Sequence, residues 1–417
     1  MNIIVKFKTV SIFLLCLILL ISCSQEHENS KRKETLTLSD TLGVNVHLGT
    51  TAQDIRIINE AGFKWVRFDL SWSNIESKKG IYNFDDYNEL NLLLKKYDIK
   101  PYYILDYSNN LYENDNSVVT TEGRNAFKNF AKEAAQRYKG QGAVWEIWNE
   151  PDSEKFWSPQ PSFKDYSRLV NEVAPAIKLI DSSGKVVAPA LNGINADSLE
   201  WLEETFKNGI LKNIDMVSVH PYRKDVPETV INDYTRVRDL IKKYSSKNIQ
   251  VVSGEWGYIT EKTFNRRDGE LKQAQYATRM MLINSWMKVP ISVWYGLKND
   301  GQDINVPGQN YGLIWPDNEP KIAYQSISVL SQITQEYHVE KKLEYGYPED
   351  YIFQMNNSNH KKMLVFWTTE KEHYITISLS NGNGWLISML GERKKVDWNQ
   401  KQVVLRLTSS PSYLLIK

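Results

Sequence analysis

Val144-Trp145-Glu146-Ile147-Trp148-Asn149-Glu150-Pro151 is an apolar, strand-like run that breaks off at a carboxylate beside tryptophan. Val251-Val252-Ser253-Gly254-Glu255-Trp256-Gly257 is a second run of the same make. A carboxylate where a buried strand stops costs free energy unless it has a partner or a task. Working outward from these two, residues 42–334 alternate short apolar runs with longer helical patterns. The strand candidates are 42–49, 65–72, 100–107, 143–149, 185–191, 214–220, 249–255 and 291–297. Helical periodicity fills 85–97, 124–138, 163–180, 198–207, 229–244, 271–288 and 322–333, with apolar residues three or four apart. Near-continuous apolarity in Val217-Ser218-Val219 and Val251-Val252 suits parallel strands covered on both faces. Eight strand–helix units predict an α/β fold, a (β/α)8 TIM barrel over residues 41–335. The competitor, a doubly wound open sheet, lacks the Gly-rich phosphate turn after its first strand that a nucleotide-binding version needs.

After residue 334 the rhythm changes. Short β-type runs at 351–355, 362–367, 374–379, 384–388, 402–407 and 413–416 are separated by turn-rich pieces such as Asn381-Gly382-Asn383-Gly384. No helical pattern intervenes, so residues 336–417 are expected to form a small C-terminal antiparallel β-sandwich.

At the other end, Lys6 and Lys8 precede a stretch, 10–21, that is apolar apart from Ser11. It falls short of the ~20 residues that a membrane span needs and reads as an export signal. Leu20-Ile21-Ser22-Cys23 resembles the lipobox of bacterial lipoproteins. That resemblance implies a signal over 1–22, lipidation of Cys23, a polar tether over 23–40, and a place in the bacterial cell envelope, at the outer membrane or cell surface. An ordinary cleaved signal or an N-terminal anchor is the alternative. The chain's two cysteines are Cys16, inside the signal, and Cys23, so the exported protein has no thiol pair to oxidise. It must rest on its core.

Net charge is +1 with 24% charged residues, which gives no field to attract nucleic acid. The six histidines show no His-x-x-x-His spacing, and no Gly-x-Ser-x-Gly elbow is present. No metal, no cofactor and no esterase chemistry are expected, and the protein is expected to be monomeric. The 13 tryptophans and 23 tyrosines suit a large core or rings that stack on sugars.

In barrels of this kind the reacting groups gather where strands end. Those positions carry His47, Arg67, Asp69, Asp106, Asn149, Glu150, His220, Tyr222, Glu255 and Trp294, a set suited to acid, base and nucleophile work on a neutral polyol. Trp148-Asn149-Glu150-Pro151, His220-Pro221-Tyr222, Gly254-Glu255-Trp256-Gly257 and Trp294 together resemble the glycoside hydrolase clan A barrels. Asn149-Glu150-Pro151-Asp152 followed by Phe156-Trp157 is most similar to family 39, and the family 5 cellulase-like enzymes come second. The resemblance implies a carbohydrate substrate, Glu150 as general acid/base and Glu255 as nucleophile, with retention of anomeric configuration. Glu150 would rest protonated while Glu255 is ionised, because like charges so close disfavour double ionisation. It further implies that Arg67 and Tyr222 hold the nucleophile, that Asn149 donates to the 2-hydroxyl, that Trp294 floors the subsite of cleavage, and that His220 supports the acid/base or the sugar. His47 and Asp106 are the remaining candidates for substrate contact. A transglycosylase remodelling an envelope polysaccharide, or a non-catalytic carbohydrate-binding barrel, would share the fold.

Overall fold

Eight parallel staves close on themselves in a computed structural model that describes residues 36–263, 265–301, 303 and 305–417. They are β1 (Leu42–Asn45), β2 (Trp65–Ser71), β3 (Lys100–Asp106), β4 (Val144–Ile147), β5 (Lys185–Val187) with β6 (Leu191–Asn192), β7 (Met216–His220), β8 (Gln250–Trp256) and β9 (Ser292–Trp294). The segments β5 and β6 both pair with β7, so they count as one stave broken at Ala188-Pro189-Ala190. Because β1 pairs with β2 on one side and β9 on the other, the sheet has no free edge. The expected barrel is therefore present, with each strand inside or within a residue of its predicted run. Cys16 and Cys23, with the whole signal, lie outside the described residues. Among the described residues no helix is long and apolar enough to cross a membrane.

The helices Asp85–Lys96, Thr121–Tyr138, Phe163–Ile180, Ala196–Lys207, Val230–Tyr244, Arg266–Trp286 and Ile322–Thr334 follow the periodicity read from the sequence. Two more among the described residues, the single turn Trp72–Ile75 and Ala52–Glu60, have no counterpart in that periodicity, and the longer one shows why. It buries only Asp54, Ile55 and Ile58, too few apolar positions to show a period, and it owes its start to a capping box between Thr51 and Asp54.

Strand alternation sorts the barrel interior into layers. At the bottom lies an apolar cluster of Tyr102, Val144, Val187, Met216, Val252, Ile291 and Val293. Two residues further along their strands, Glu146, Ser218 and Gly254 form a polar middle layer, which Arg67 and the Tyr102 hydroxyl enter. A Cβ on Gly254 would come 2.2 Å from Ser218 Oγ, so a larger residue there would displace the serine hydroxyl from this layer. Above it the strands end and the cleft begins.

Residues 337–416 form the expected β-sandwich. A six-stranded antiparallel sheet has the order β10 (Tyr337–Lys342), β11 (Asp350–Asn357), β12 (Lys362–Thr368), β17 (Ser412–Ile416), β14 (Gly382–Ser388), β15 (Arg393–Trp398). It faces a two-stranded sheet of β13 (His373–Ser378) and β16 (Gln402–Leu407). Ile352, Leu364, Phe366, Ile375, Ile377, Leu405 and Leu407 fill the space between the sheets. The other face of the large sheet, with Phe353, Met355, Val365 and Trp367, joins the main core of the barrel. Trp367 Nε1 donates to Glu228 Oε1 at 2.7 Å, and Glu228 is also held by Arg279, so a buried ion pair sits at that seam. Two strands escaped the sequence reading, and they are the two edges of the large sheet. Tyr337-His338-Val339-Glu340-Lys341-Lys342 and Arg393-Lys394-Lys395-Val396-Asp397-Trp398 carry the charges that keep an edge from pairing further, and those charges hide the β pattern.

Candidate active site

Strict alternation would turn Glu255 away from the cleft. On β8, Val252 and Gly254 face inward, whereas Val251 and Trp256 belong to the layer between strands and helices. The pairing of β8 with β9 shifts register between Ser253 and Trp256. The irregularity lets Gly254 and Glu255 both face the interior, a known use of a bulge next to a site. Glu150 reaches the same cleft by another device. The chain leaves β4 after Ile147, and Trp148 and Glu150 take φ values of 71° and 48°. Left-handed backbone is unfavourable for such residues. Here it sends Trp148 into the core against Trp157 and Phe127, and swings Asn149 and Glu150 over the barrel mouth.

Arg67 is the hub. Its guanidinium donates to Glu146 Oε2 through Nε (2.9 Å) and Nη2 (2.7 Å), to Asn45 Oδ1 (3.0 Å), to Asn149 Oδ1 (2.8 Å) and to Glu255 Oε2 (2.5 Å). Burial works against its charge, but Glu146 and Glu255 outweigh that, so Arg67 holds its proton even more firmly than usual. Its salt bridges among the described residues are with Glu146 and Glu255 and not with Asp69 on its own strand. The other oxygen of Glu255 accepts from the Tyr222 hydroxyl at 2.9 Å. Burial and the Glu255 charge push that phenol far up, so it remains a donor.

Glu150 has different company. Its Oε1 lies 2.8 Å from His220 Nδ1, and Asn192 Nδ2 donates to Oε2 at 2.9 Å. His220 is fully buried, with Nε2 3.4 Å from Arg67 Nη2. Since a guanidinium offers only donors, the neutral ring carries its proton on Nδ1 and gives it to Glu150. Burial pulls the imidazole down, but the Glu255 charge and the Glu150 hydrogen bond prevail and raise it. One ligand atom from each of Glu150, His220 and Glu255 lies within 4.8 Å of the other two, a group that could also hold a metal ion.

The structure thus brings together Arg67, Asn149, Glu150, His220, Tyr222 and Glu255, all named from the sequence. Asn149 keeps its amide N–H edge toward Tyr107, donating to that hydroxyl at 3.1 Å. His47 sits at the rim, exposed, 3.4 Å from Asp300, whose hydrogen bond raises the imidazole despite partial burial.

Two expectations are corrected. Trp294 cannot floor a sugar site. Ile291 and Val293 face inward, so Trp294 faces the helix layer, where it is 0% exposed, packs edge-on to Trp256 and donates to Tyr311 O at 3.0 Å. The next residue, Tyr295, turns inward instead and lies partly open beside His47 and Tyr311. Asp106 cannot touch a ligand either, because its side chain is 0% exposed. Trp72, Trp157 and Trp256 are likewise core residues, whereas Trp315 lies under Arg266 and Lys321 beside a separate cavity of about 510 Å³.

Glu146, Asn45 and Asn192 were missed. Glu146 lies two residues before the strand-end turn and reads as part of an apolar run, yet parity with Val144 puts it inside. That parity was the available signal. Asn45 and Asn192 lie on short staves whose four and two residues show no period.

The chain's sequence matches the family model Cellulase (glycosyl hydrolase family 5) over residues 28–294. No curated protein matches it. Among solved structures, a family 39 glycoside hydrolase from Bacteroides cellulosilyticus WH2 superposes with a TM-score of 0.79 at 22% identity, covering 92% of this chain and 82% of that one. A family 51 α-L-arabinofuranosidase from Bifidobacterium longum gives 0.64 at 12% identity, over 92% and 97% of the two chains. A family 30 subfamily 8 xylanase from Clostridium acetobutylicum gives 0.61 at 12% identity, over 90% and 96%. At these identities the three share the fold with this chain. With the family match over most of its barrel, the chain belongs to the Cellulase family, glycosyl hydrolase family 5, and is a glycoside hydrolase of clan A.

Proposed function

We propose that the enzyme cleaves O-glycosidic bonds of a poly- or oligosaccharide with retention, by double displacement between Glu255 and Glu150. The observation that carries this reading is the distance of the two carboxylates: ligand atoms of Glu150 and Glu255 come within 4.8 Å. Retaining enzymes keep their carboxyl groups about 5–5.5 Å apart, whereas inverting ones leave ~6.5–9.5 Å for a water.

Their surroundings divide the roles. Arg67 and Tyr222 each occupy one oxygen of Glu255 and fix its orientation. In the first step a Glu255 oxygen bonds to the anomeric carbon while the glycosidic C–O bond breaks, and the departing oxygen takes the proton of Glu150. In the second, water gives a proton back to Glu150, its oxygen bonds to the anomeric carbon, and Glu255 leaves as carboxylate. His220 and Asn192 hold Glu150 in place for both transfers. Asn149, fixed by Arg67 and Tyr107, keeps an amide hydrogen for the 2-hydroxyl, a contact that strengthens as positive charge grows on the ring. Tyr295 supplies the aromatic surface that Trp294 does not.

We further propose that the enzyme works outside the cytoplasm, held to the bacterial envelope through a lipid on Cys23. The support is the sequence from Lys6 to Cys23. Anchoring keeps the catalyst at the cell while released sugars diffuse inward.

The test is a glycan panel assayed with the wild type, Glu150→Gln and Glu255→Gln, followed by a product NMR time course. The β- or α-anomer released first must match that of the bond cleaved. Initial release of the opposite anomer would remove Glu255 from the nucleophile role.

A further inference from the structure

Asp69 and Asp106 have no place in the double displacement, yet they sit at the ends of adjacent staves beside it. On β2 the side chains of Arg67 and Asp69 share the inward face, so Asp69 stands one strand step, roughly 6.5 Å, closer to the mouth than the hub arginine. On β3 Tyr102 faces inward, which puts Asp106, four residues on, over the same interior. The register sets Asp69 beside Ile104 and Ser71 beside Asp106, making the two carboxyl groups diagonal neighbours.

Their exposures differ. Asp69 is partly exposed. Asp106 is 0% exposed, and neither of its carboxyl oxygens accepts a hydrogen bond from any described residue. A buried carboxylate without a donor is severely disfavoured. Burial, then the neighbouring charge of Asp69, drive Asp106 far above the ordinary carboxyl range. A neutral acid at this position has an O–H to give, and the register leaves the Asp69 carboxyl as the diagonal neighbour to take it. Arg67 and Glu146 also bear on it from the middle layer, with opposite signs. The charge of Asp69 is felt at His47 and Tyr295, and both of these also feel Glu255. Arg67, one strand step below Asp69 on the same face, holds Glu255, which puts Asp69 at the nucleophile's side of the barrel mouth.

We propose that Asp69, hydrogen-bonded to the buried Asp106 carboxyl, reads the sugar that Glu255 attacks, accepting a hydrogen bond from a ring hydroxyl of a neutral glycone and excluding a uronic acid there. The inference rests on the retaining-hydrolase reading and adds a substrate class to it. With one oxygen engaged by Asp106, the Asp69 carboxylate is fixed in orientation and keeps acceptor sites for the ligand. A hydroxyl satisfies such a site, whereas a sugar carboxylate would meet like charge in a poorly solvated corner. Asp106 acts only through Asp69 and is a positioning residue.

The experiment uses 4-nitrophenyl glycosides of the sugar whose linkage the glycan panel shows to be cleaved, of its monodeoxy analogues, and of its uronic acid. Asp69→Ala should lower kcat/KM on the parent glycoside about tenfold to a hundredfold, the loss of one hydrogen bond to a charged group. On one deoxy analogue wild type and variant should be equal, which a merely structural effect of the substitution would not produce. Asp106→Asn, whose amide still donates, should keep that dependence on the hydroxyl, and Asp106→Leu should abolish it. Circular dichroism and thermal melting confirm that each variant is folded. An Asp69→Ala loss of the same size on every deoxy analogue, no loss at all, or turnover of the uronide to match the neutral sugar overturns the proposal. In each case Glu255→Gln remains inactive if the hydrolase reading is right, so failure of the pair and failure of that reading give different results.

Discussion

Glu255 and Glu150 face each other across one cleft but stand in opposite surroundings. Glu255 is tied on one oxygen to a guanidinium and on the other to a phenol, at 2.5 and 2.9 Å. Glu150 meets no permanent cation: its neighbours are an imidazole and a primary amide, at 2.8 and 2.9 Å. Two identical side chains are thus given different work by their partners. In the proposed mechanism the one gripped by a cation and a phenol is the nucleophile, and the one between an imidazole and an amide is the acid/base. The contrast extends to the backbone. Glu255 arrives through an irregular strand pairing and Glu150 through left-handed turns, so neither position follows from simple alternation.

The largest effect should come from Glu255→Gln, which removes the nucleophile and should cost on the order of 10⁵-fold in kcat. Glu150→Gln should cost ~10²–10⁴-fold on glycosides with a poor leaving group. On an aryl glycoside with an acidic phenol, which departs without a proton, the first step should be nearly restored and a glycosyl-enzyme burst should appear in stopped-flow traces. If both variants lost activity equally on every leaving group, the division of labour would be wrong.

Arg67→Met probes the charged side. It leaves Glu146 fully buried without its partner, which should destabilise the protein by about 3–5 kcal/mol in urea unfolding. Adding Glu146→Gln should recover much of the stability but none of the activity, separating the structural ion pair from the support of Glu255. Equal recovery of both would show that Arg67 serves the fold alone.

The smallest effect is one of pH on stability. His220 has a raised folded-state value, so it binds its proton more tightly folded than unfolded. Its contribution is complete below the ordinary imidazole value, ~6.5, and is lost as pH rises through the folded value. Thermal melts should therefore show the advantage of the wild type over His220→Gln shrinking as pH rises from about 6 to about 8. An advantage that grows instead would mean that Arg67, not the two carboxylates, governs the imidazole.

Much of this was legible in the chain. The apolar runs are long enough, and their spacing regular enough, to specify a barrel before any contact is known. The carboxylates at 150 and 255 announce themselves because nothing else accounts for charge at the end of an apolar run. Glu146 shows the opposite case. It lies inside its run, and only its partner 79 positions away in sequence, Arg67, explains it. The edge strands at 337–342 and 393–398 were hidden because the lysines that protect an edge also erase the β signature.

Sequence alone determined which residues could do chemistry and that strand ends would gather them, since composition and periodicity are local properties. The tertiary structure decided which side chain faces the cleft. It chose Tyr295 over Trp294, buried Asp106 diagonally beside Asp69, and turned Glu255 inward against the alternation of its own strand. Each of these depends on register with a strand dozens of residues away. A one-residue change in register reverses every side chain, and nothing within a single strand fixes it.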